Sequence, residues 1–80
     1  MLKIAILASG SGSNTESLVR YFEQSDDARV NLIVTNNPKA GVIERAKRLN
    51  VSIKVFSPRR ESDALLTTLK EQADLVLLAG

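Results

Sequence analysis

The stretch Leu2–Val19, LKIAILASGSGSNTESLV, decides the fold of this chain. Its first part, Leu2–Ala8, is almost entirely apolar, as are strands buried on both faces of a parallel sheet. Small residues follow at Ser9–Asn14, and a helical pattern then begins, with Leu18, Val19 and Phe22 on one face. This order predicts an anion site, because glycine allows close approach to the backbone and the first N–H groups of a helix lack partners within it.

The start of that helix carries a competing signal. Ser13 and Glu16 match the Ser-x-x-Glu capping box, in which the Ser side chain caps one free amide and the Glu reaches back to another. Such a cap would occupy amides that an anion needs, and the carboxylate would oppose a phosphate. The residues therefore leave two interpretations open, a phosphate site or a tight turn without a ligand.

Several known motifs are missing from the loop. A dinucleotide fingerprint needs a third glycine where the chain has Thr15, and an acid about 20 residues on, where the second strand ends in Thr35-Asn36-Asn37. No Gly-Lys pair occurs, which excludes a Walker A loop. Around Ser11 the Gly-x-Ser-x-Gly elbow fails. Without His or Cys, a Ser/His or Cys/His hydrolase lacks its base or thiol.

Length and composition limit the classes of protein. Eighty residues form one small domain at most, and a net charge of +2 is too small to predict nucleic-acid or membrane binding. The absence of Cys excludes a disulfide scaffold and a Cys-based metal site. No basic-then-apolar leader opens the chain, and no apolar run approaches roughly 18 residues. We therefore expect a cytoplasmic protein with no metal, nucleic-acid or membrane partner.

The rest of the chain alternates strands and helices. Val30–Thr35, Val51–Phe56 and Leu75–Ala79 read as strands, and the alternation in the second of these predicts a sheet edge. After the turn Asn36–Gly41, whose Asn and Pro are placed to cap and open a helix, apolar residues recur at helical spacing: Val42, Ile43, Ala46 and Leu49. The charges between them predict a solvated face: Glu44, Arg45, Lys47 and Arg48. A third helix has its own apolar face: Leu65, Leu66, Leu69 and Ala73.

The order β-α-β-α-β-α-β predicts an α/β fold with a Rossmann-like parallel sheet in strand order 3-2-1-4. Its ligand site is expected between the carboxyl ends of strands 1 and 4. Strand 4 is apolar enough to be central but has no second neighbour in this chain, so we expect a sheet incomplete at strand 4, covered by a missing C-terminal half or a partner strand. The cations of Arg59-Arg60 lie near the start of the third helix, where the helix dipole disfavours positive charge. The pair therefore either meets an anion or is solvated.

The whole chain resembles the N-terminal half of the phosphoribosylglycinamide formyltransferase family, also called glycinamide ribonucleotide transformylases. The most specific part is the loop within IAILASGSGSNTESLV, residues 4–19. Four further segments match in order and spacing: Asn36, Gly41–Ala46, Arg60-Glu61 and Asp74–Gly80. The resemblance implies an enzyme that transfers a formyl group from 10-formyltetrahydrofolate to glycinamide ribonucleotide in de novo purine biosynthesis.

The resemblance also implies roles for individual residues. The phosphate and ribose of glycinamide ribonucleotide would be held by Gly12, Ser13, Asn14, Thr15 and Glu16. The folate cosubstrate would be contacted by Arg60, Leu78, Ala79 and Gly80. The family's catalytic Asn, His and Asp lie in its second half, so residues 1–80 contain no catalytic residue and alone should be inactive. No metal is implied.

Two alternatives remain open from the sequence. A formyltetrahydrofolate hydrolase would use water in place of the amine and would have no use for a phosphate loop. A non-catalytic nucleotide- or phosphate-binding module would fold as a stable protein of 80 residues without a second half.

Overall fold

The described residues of the computed structural model are 1–56 and 62–79, with only the backbone described for residues 62–66. Strands and helices alternate in the predicted order: β1 (Leu2–Leu7), α1 (Ser13–Glu23), β2 (Ala28–Thr35), α2 (Val42–Leu49), β3 (Ser52–Val55), α3 (Ser62–Gln72) and β4 (Leu75–Leu78). Arg59-Arg60 and Gly80 lie outside the described residues.

The strands form one parallel sheet in the order β3-β2-β1-β4. The predicted α/β fold and strand order are therefore confirmed. In the middle of β1, Ile6 lies opposite Ile33 of β2 and Leu77 of β4. Because β1 has a neighbour on each side, the Gly-containing loop between β1 and α1 lies at the centre of the carboxyl edge of the sheet.

Helices cover both faces of the sheet. On one face, the side chains of Ile4 and Ile6 pack with those of α1 and α2 in a cluster that includes Val19 and Val42. On the other face, Ala5 belongs to a second cluster, together with Leu32, Val34 and Phe56, against which Leu69 of α3 and Ala73, just after that helix, pack. Successive β1 residues thus enter different cores, which explains why this strand is apolar at consecutive positions.

A β-bulge interrupts the pairing of β1 with β2. Ile4 lies opposite Val30 and Ala5 opposite Leu32, so Asn31 is the extra residue on β2. Its side-chain amide donates a hydrogen bond of 2.8 Å to the carbonyl oxygen of Gln72, the last residue of α3. The bulge therefore ties the end of α3 to the sheet just before β4 begins.

The two edges of the sheet differ. β3 is at an edge, as its alternation predicted, with Ile53 half-buried and its other residues exposed. At the opposite edge of the described sheet, β4 pairs with β1, and Leu78 is 81% exposed. Leu75 and Val76 are also exposed. The apolar character of β4 is therefore not matched by burial among the described residues.

The turn before α2 differs from its prediction. Asn37 does not cap α2: its side-chain oxygen accepts a hydrogen bond of 3.0 Å from the N–H of Lys39, as in an Asx turn. The N-cap of α2 is Gly41, which has no side chain with which to cap the helix. The predicted capping by Asn was wrong because the Asn side chain satisfies the turn that precedes the helix.

Candidate functional site

The loop between β1 and α1 ends in a left-handed residue. Gly12, the N-cap of α1, has φ 88° and ψ 13°. A Cβ atom at this position would lie 2.7 Å from Cγ2 and 2.9 Å from Cα of Val42, closer than atoms can approach. Glycine is therefore required at this point both by the backbone angle and by the space left by α2.

The capping box predicted from Ser13 and Glu16 does not form, and that prediction was wrong. Because Gly12 takes the N-cap position, Ser13 is the first helical residue and stands one position too late to cap. The N–H of Glu16 donates instead to the Gly12 carbonyl oxygen at 2.8 Å. Among residues 1–56 and 62–79, the N–H groups of residues 12–15 have no hydrogen-bond acceptor. The start of α1 thus keeps the free amides that an anion needs.

Helix α2 braces the loop from one side. The N–H of Val42 donates to the carbonyl oxygen of Gly10 at 3.2 Å. Further along α2, the Arg45 Nε donates to the carbonyl oxygen of Ser11 at 2.7 Å. A Cβ on Gly41 would lie 3.2 Å from Cα of Ser11, so α2 and the loop are in direct contact. The loop conformation therefore depends on a helix that follows much later in the chain.

Glu16 lies between two arginines. Its Oε1 accepts from Nη1 of Arg45 at 2.9 Å, and its Oε2 accepts from Nε of Arg20 at 3.1 Å. The hydrogen bonds from Arg45 and then from Arg20 hold the pKa of Glu16 below its ordinary value. The carboxylate that was expected to oppose a phosphate is thus paired on both oxygens.

The Glu16 pairing predicts a pH dependence of stability. Because the folded protein lowers the pKa of Glu16, its ion pairs stabilise the fold at neutral pH, and this contribution is lost as the pH falls from about 4 through the lowered pKa. We expect Glu16→Gln to lower the thermal unfolding midpoint at pH 7 and to have less effect towards pH 3, as measured by circular dichroism. Glu23→Gln, at the exposed end of the same helix, controls for net charge. A Glu16→Gln deficit that is constant across this range would contradict the prediction.

The predicted substrate residues differ in accessibility. Ser13 and Asn14 are exposed, Glu16 is half-buried, and Gly12 and Thr15 are buried. The Thr15 hydroxyl has no hydrogen-bond partner in the described part of the chain. In this structure a ligand can therefore reach the side chains of Ser13 and Asn14, whereas that of Thr15 faces the core.

Two of the predicted folate residues lie beside the same loop. The N–H of Ala79 donates to the carbonyl oxygen of Leu7 at 2.9 Å, which places the end of β4 next to the end of β1. Ala79 is buried and Leu78 exposed. The predicted contacts of Arg60 and Gly80 fall on positions outside the described residues. Ser13, Asn14, Leu78 and Ala79 thus share the carboxyl edge of the sheet.

Sequence reasoning missed Arg45. Its charge was assigned with its neighbours to a solvated face, but its side chain is only 30% exposed and contacts both the loop and α1. The apolar spacing of α2 does not predict this contact, because both partners of Arg45 lie 29 or more positions away in sequence. The Gly41–Ala46 segment that carries part of the family resemblance contains this residue.

A cavity of about 250 Å³ occupies the opposite end of the fold. Its lining includes Phe22 near the end of α1, Arg29 at the start of β2 and Leu49 at the end of α2. Ligands of open parallel sheets bind outside the carboxyl ends of the strands. The candidate functional site is therefore the carboxyl edge of the sheet, where the loop between β1 and α1 lies, and not this cavity.

Comparison with known proteins identifies the family. The sequence profile of the formyl transferase family matches residues 2–80. The chain belongs to the formyl transferase family. It is 36% identical over 88 aligned residues to the phosphoribosylglycinamide formyltransferase of Bacillus subtilis (strain 168), covering 100% of this chain and 45% of that protein. The resemblance stated from the loop and its companion segments is thus confirmed.

The chain is also similar to a curated protein and a solved structure with related names. The trifunctional purine biosynthetic protein adenosine-3 of Drosophila melanogaster is 36% identical over 88 aligned residues, 98% of this chain and 6% of that protein. Glycinamide ribonucleotide transformylase 1 from Geobacillus kaustophilus matches in structure with a TM-score of 0.89 at 42% identity, covering 100% of this chain and 47% of that one. The chain therefore spans less than half the length of these relatives.

The described residues contain neither a metal-binding cluster nor a membrane-spanning helix. No cluster of three or more His, Cys, Asp or Glu side chains in residues 1–56 and 62–79 is arranged to hold a metal ion. Among the helices of this part of the formyl transferase chain, none is both long and apolar enough to cross a bilayer.

Proposed function

We propose that the protein containing this chain transfers a formyl group from 10-formyltetrahydrofolate to the amine of glycinamide ribonucleotide, a step of de novo purine biosynthesis. In this proposal residues 1–80 form the N-terminal, nucleotide-phosphate-binding half of the formyltransferase domain. A C-terminal half or partner strand beside β4 completes it. Family membership and the named activities of its relatives support the assignment.

The start of α1 is the observation that carries the proposal. Four successive N–H groups, those of residues 12–15, have no acceptor within the described residues, and they lie at the positive end of the helix dipole. A phosphate group supplies negative charge and several acceptor oxygens at once. The exposed side chains of Ser13 and Asn14 add donors at the same place. Glu16 would accept a hydrogen bond from a ribose hydroxyl while it remains paired with the arginines.

The end of β4 suits the cosubstrate. Leu78 leaves apolar surface exposed at the carboxyl edge, against which the flat pterin ring of a folate can pack. Ala79 and Gly80 would continue this wall, and Arg60 would pair with the anionic glutamate tail. Folate and nucleotide would then meet across the ends of β1 and β4, which hydrogen-bond to each other.

The reaction needs few groups from this half. The amine nitrogen of the substrate attacks the formyl carbon, the bond from that carbon to N10 of the folate breaks, and a proton leaves the amine while N10 gains one. An oxyanion forms on the way and requires hydrogen-bond donors. Residues 1–80 would bind and orient the substrate phosphate, and the catalytic donors and base would come from the second half.

Formyl transfer to glycinamide ribonucleotide, followed by the absorbance change of the folate, tests the proposal. The assay compares the product of the gene's complete reading frame with the chain of 80 residues. We expect activity in the longer protein only. Release of formate without transfer to the amine would support a hydrolase. A complete reading frame of 80 codons with phosphate binding and no transfer would support a binding module.

Asn14→Ala tests the substrate loop within the complete protein. Loss of one hydrogen bond to a charged phosphate should raise the KM for glycinamide ribonucleotide about tenfold or more, with little change in kcat or in the KM for the folate. Ser17→Ala is the matched control, because this exposed hydroxyl lies on the same helix and donates to the Ser13 carbonyl within it. Unchanged kinetics in a folded, active Asn14→Ala variant would remove Asn14 from the substrate site.

A further inference from the structure

Arg45 of α2 connects the Gly-containing loop with α1. We propose that Arg45 is a positioning residue for the substrate phosphate: it aims the Gly12 N–H at the ligand through the Ser11 carbonyl, and it offsets the charge of Glu16. The inference rests on the proposed function, since it concerns the same loop. It adds a residue that the pattern of α2 had assigned to solvent.

The geometry of one peptide unit sets the direction of the Gly12 N–H. Arg45 Nε donates to the Ser11 carbonyl oxygen at 2.7 Å, so this oxygen faces α2. The peptide bond between Ser11 and Gly12 is trans, and the C=O and N–H of a planar trans peptide point in opposite directions. The Gly12 N–H is therefore directed away from Arg45. Arg45 thus controls the direction of the first free amide of the anion site without contacting the ligand.

The charge beside the site depends on the two arginines. Glu16 lies in the first turn of α1. An unpaired carboxylate at this position would repel a phosphate dianion bound to the free amides of residues 12–15. Arg45 and Arg20 each hold one of its oxygens. With both arginines in place, the three side chains carry a net charge of +1 in place of −1. The cluster therefore attracts an anion that the carboxylate alone would oppose.

The shape of the guanidinium explains why one residue performs both tasks. Nε and Nη1 of Arg45 donate at 2.7 and 2.9 Å to two acceptors, one on the loop and one on α1. A planar fork with fixed donors serves two separate acceptors, whereas a lysine ammonium is a compact charge on a flexible stem. We therefore expect Arg45→Lys to retain the charge offset and to lose most of the control over the Ser11 carbonyl.

Steady-state kinetics of the product of the complete reading frame tests this. Arg45→Met keeps the apolar part of the stem and removes the donors. We expect the KM for glycinamide ribonucleotide to rise by about 10- to 100-fold, with kcat and the KM for 10-formyltetrahydrofolate changed less than about threefold. Arg45→Lys should fall between wild type and Arg45→Met. A merely structural role would instead lower the amount of active enzyme, and hence kcat, without this selective rise.

Three variants separate the two tasks. Arg48→Met removes an exposed cation from the same helix and should leave all constants unchanged. Arg20→Met removes the other partner of Glu16 without touching the loop, and should raise the KM less than Arg45→Met does. Adding Glu16→Gln to Arg45→Met should recover the part of the loss that comes from charge and leave the part that comes from the freed Ser11 carbonyl.

A second readout separates this inference from the proposed function. Titration of the 15N-labelled protein with inorganic phosphate should shift the Gly12 amide resonance in wild type, with a weaker response in folded Arg45→Met and Arg45→Lys variants. If the protein has no transfer activity but shows this Arg45-dependent shift, the function is wrong and the inference stands. If the enzyme is active and both the KM and the titration are the same without Arg45, the inference is overturned.

Discussion

Replacing Gly12 with alanine is expected to lower the free energy of unfolding by about 2–5 kcal/mol. A non-glycine residue in the left-handed region costs about 1–2 kcal/mol, and Gly12 has φ 88°. Its new Cβ would lie 2.7–2.9 Å from atoms of Val42, one of them the backbone Cα, and such overpacking costs about 1–3 kcal/mol. The backbone atom cannot be avoided by a change of rotamer, so α1 and α2 must move apart.

Urea unfolding monitored by circular dichroism measures the effect of Gly12→Ala. The midpoint should fall with an unchanged slope, as expected for a change in stability alone. Gly41→Ala is the matched control, since Gly41 also touches the loop but has an ordinary φ of −62° and its Cβ would lie 3.2 Å from the nearest atom. We expect its effect to stay within about 1 kcal/mol, because the loss of unfolded-state freedom offsets part of the crowding. Equal losses in the two variants would contradict the explanation.

Gly12→Ala should also weaken phosphate binding in any molecules that remain folded. Residues 12–15 provide the free amides, and a displaced Gly12 changes the direction of the first of them. Phosphate titration of the variant below its unfolding midpoint would detect this loss. Binding equal to that of wild type would remove the Gly12 amide from the site.

Ile6→Ala has the other large expected effect, a loss of about 2–5 kcal/mol in the free energy of unfolding. Ile6 is fully buried, and in the sheet it lies between Ile33 and Leu77. Truncation removes buried methyl groups and leaves a cavity that neighbouring strands, tied by their hydrogen bonds, cannot fill. A single protein domain has only about 5–15 kcal/mol of stability, so a loss of this size is a substantial part of the total.

Denaturant unfolding of a graded series tests the Ile6 prediction. Ile6→Val should cost about 0.5–1.5 kcal/mol, since it removes one methyl group. Leu2→Ala is the control on the same strand: Leu2 is 41% exposed, and the loss should be about 1 kcal/mol or less. A loss from Leu2→Ala as large as that from Ile6→Ala would show that burial in the sheet does not determine the effect.

The elements of the fold were predictable because their signals are local. Apolar runs of strand length, helical spacing between them and small residues at the turns predicted seven elements and the edge position of β3, all of which the structure contains. The sheet order followed from the short connections between parallel strands and the fixed hand of their crossovers. Only the ends of elements moved: β2 begins at Ala28 in place of Val30, β3 spans Ser52–Val55 in place of Val51–Phe56, and β4 ends at Leu78 in place of Ala79.

The sequence predicted the strand, loop and helix that form the candidate site but not the interactions between them. The strand, loop and helix pattern predicted unpartnered amides at the start of α1, and the structure has them at residues 12–15. The Ser13 and Glu16 capping box was wrong because a spacing of three shows only that two residues can meet on a helix. The side chain that Glu16 binds across the fold, Arg45, is 29 positions away. The periodicity of a helix relates residues three or four positions apart, so it cannot predict a contact between residues separated by 29 positions.

The physical reason is the range of the interactions. The hydrophobic pattern, the turn residues and the strand-loop-helix order act between neighbours along the chain, so the α/β fold and the strand, loop and helix of the candidate site can be derived from the amino acids alone. The choice of Gly12 as N-cap depends on its contact with Val42, and the pairing of Glu16 and the tether on Ser11 depend on Arg45. These contacts exist only once α2 has packed beside α1 on the sheet. Local sequence therefore determines that α1 begins after the loop. The packing of the two helices determines that the amides at its start lack acceptors and in which direction these amides point.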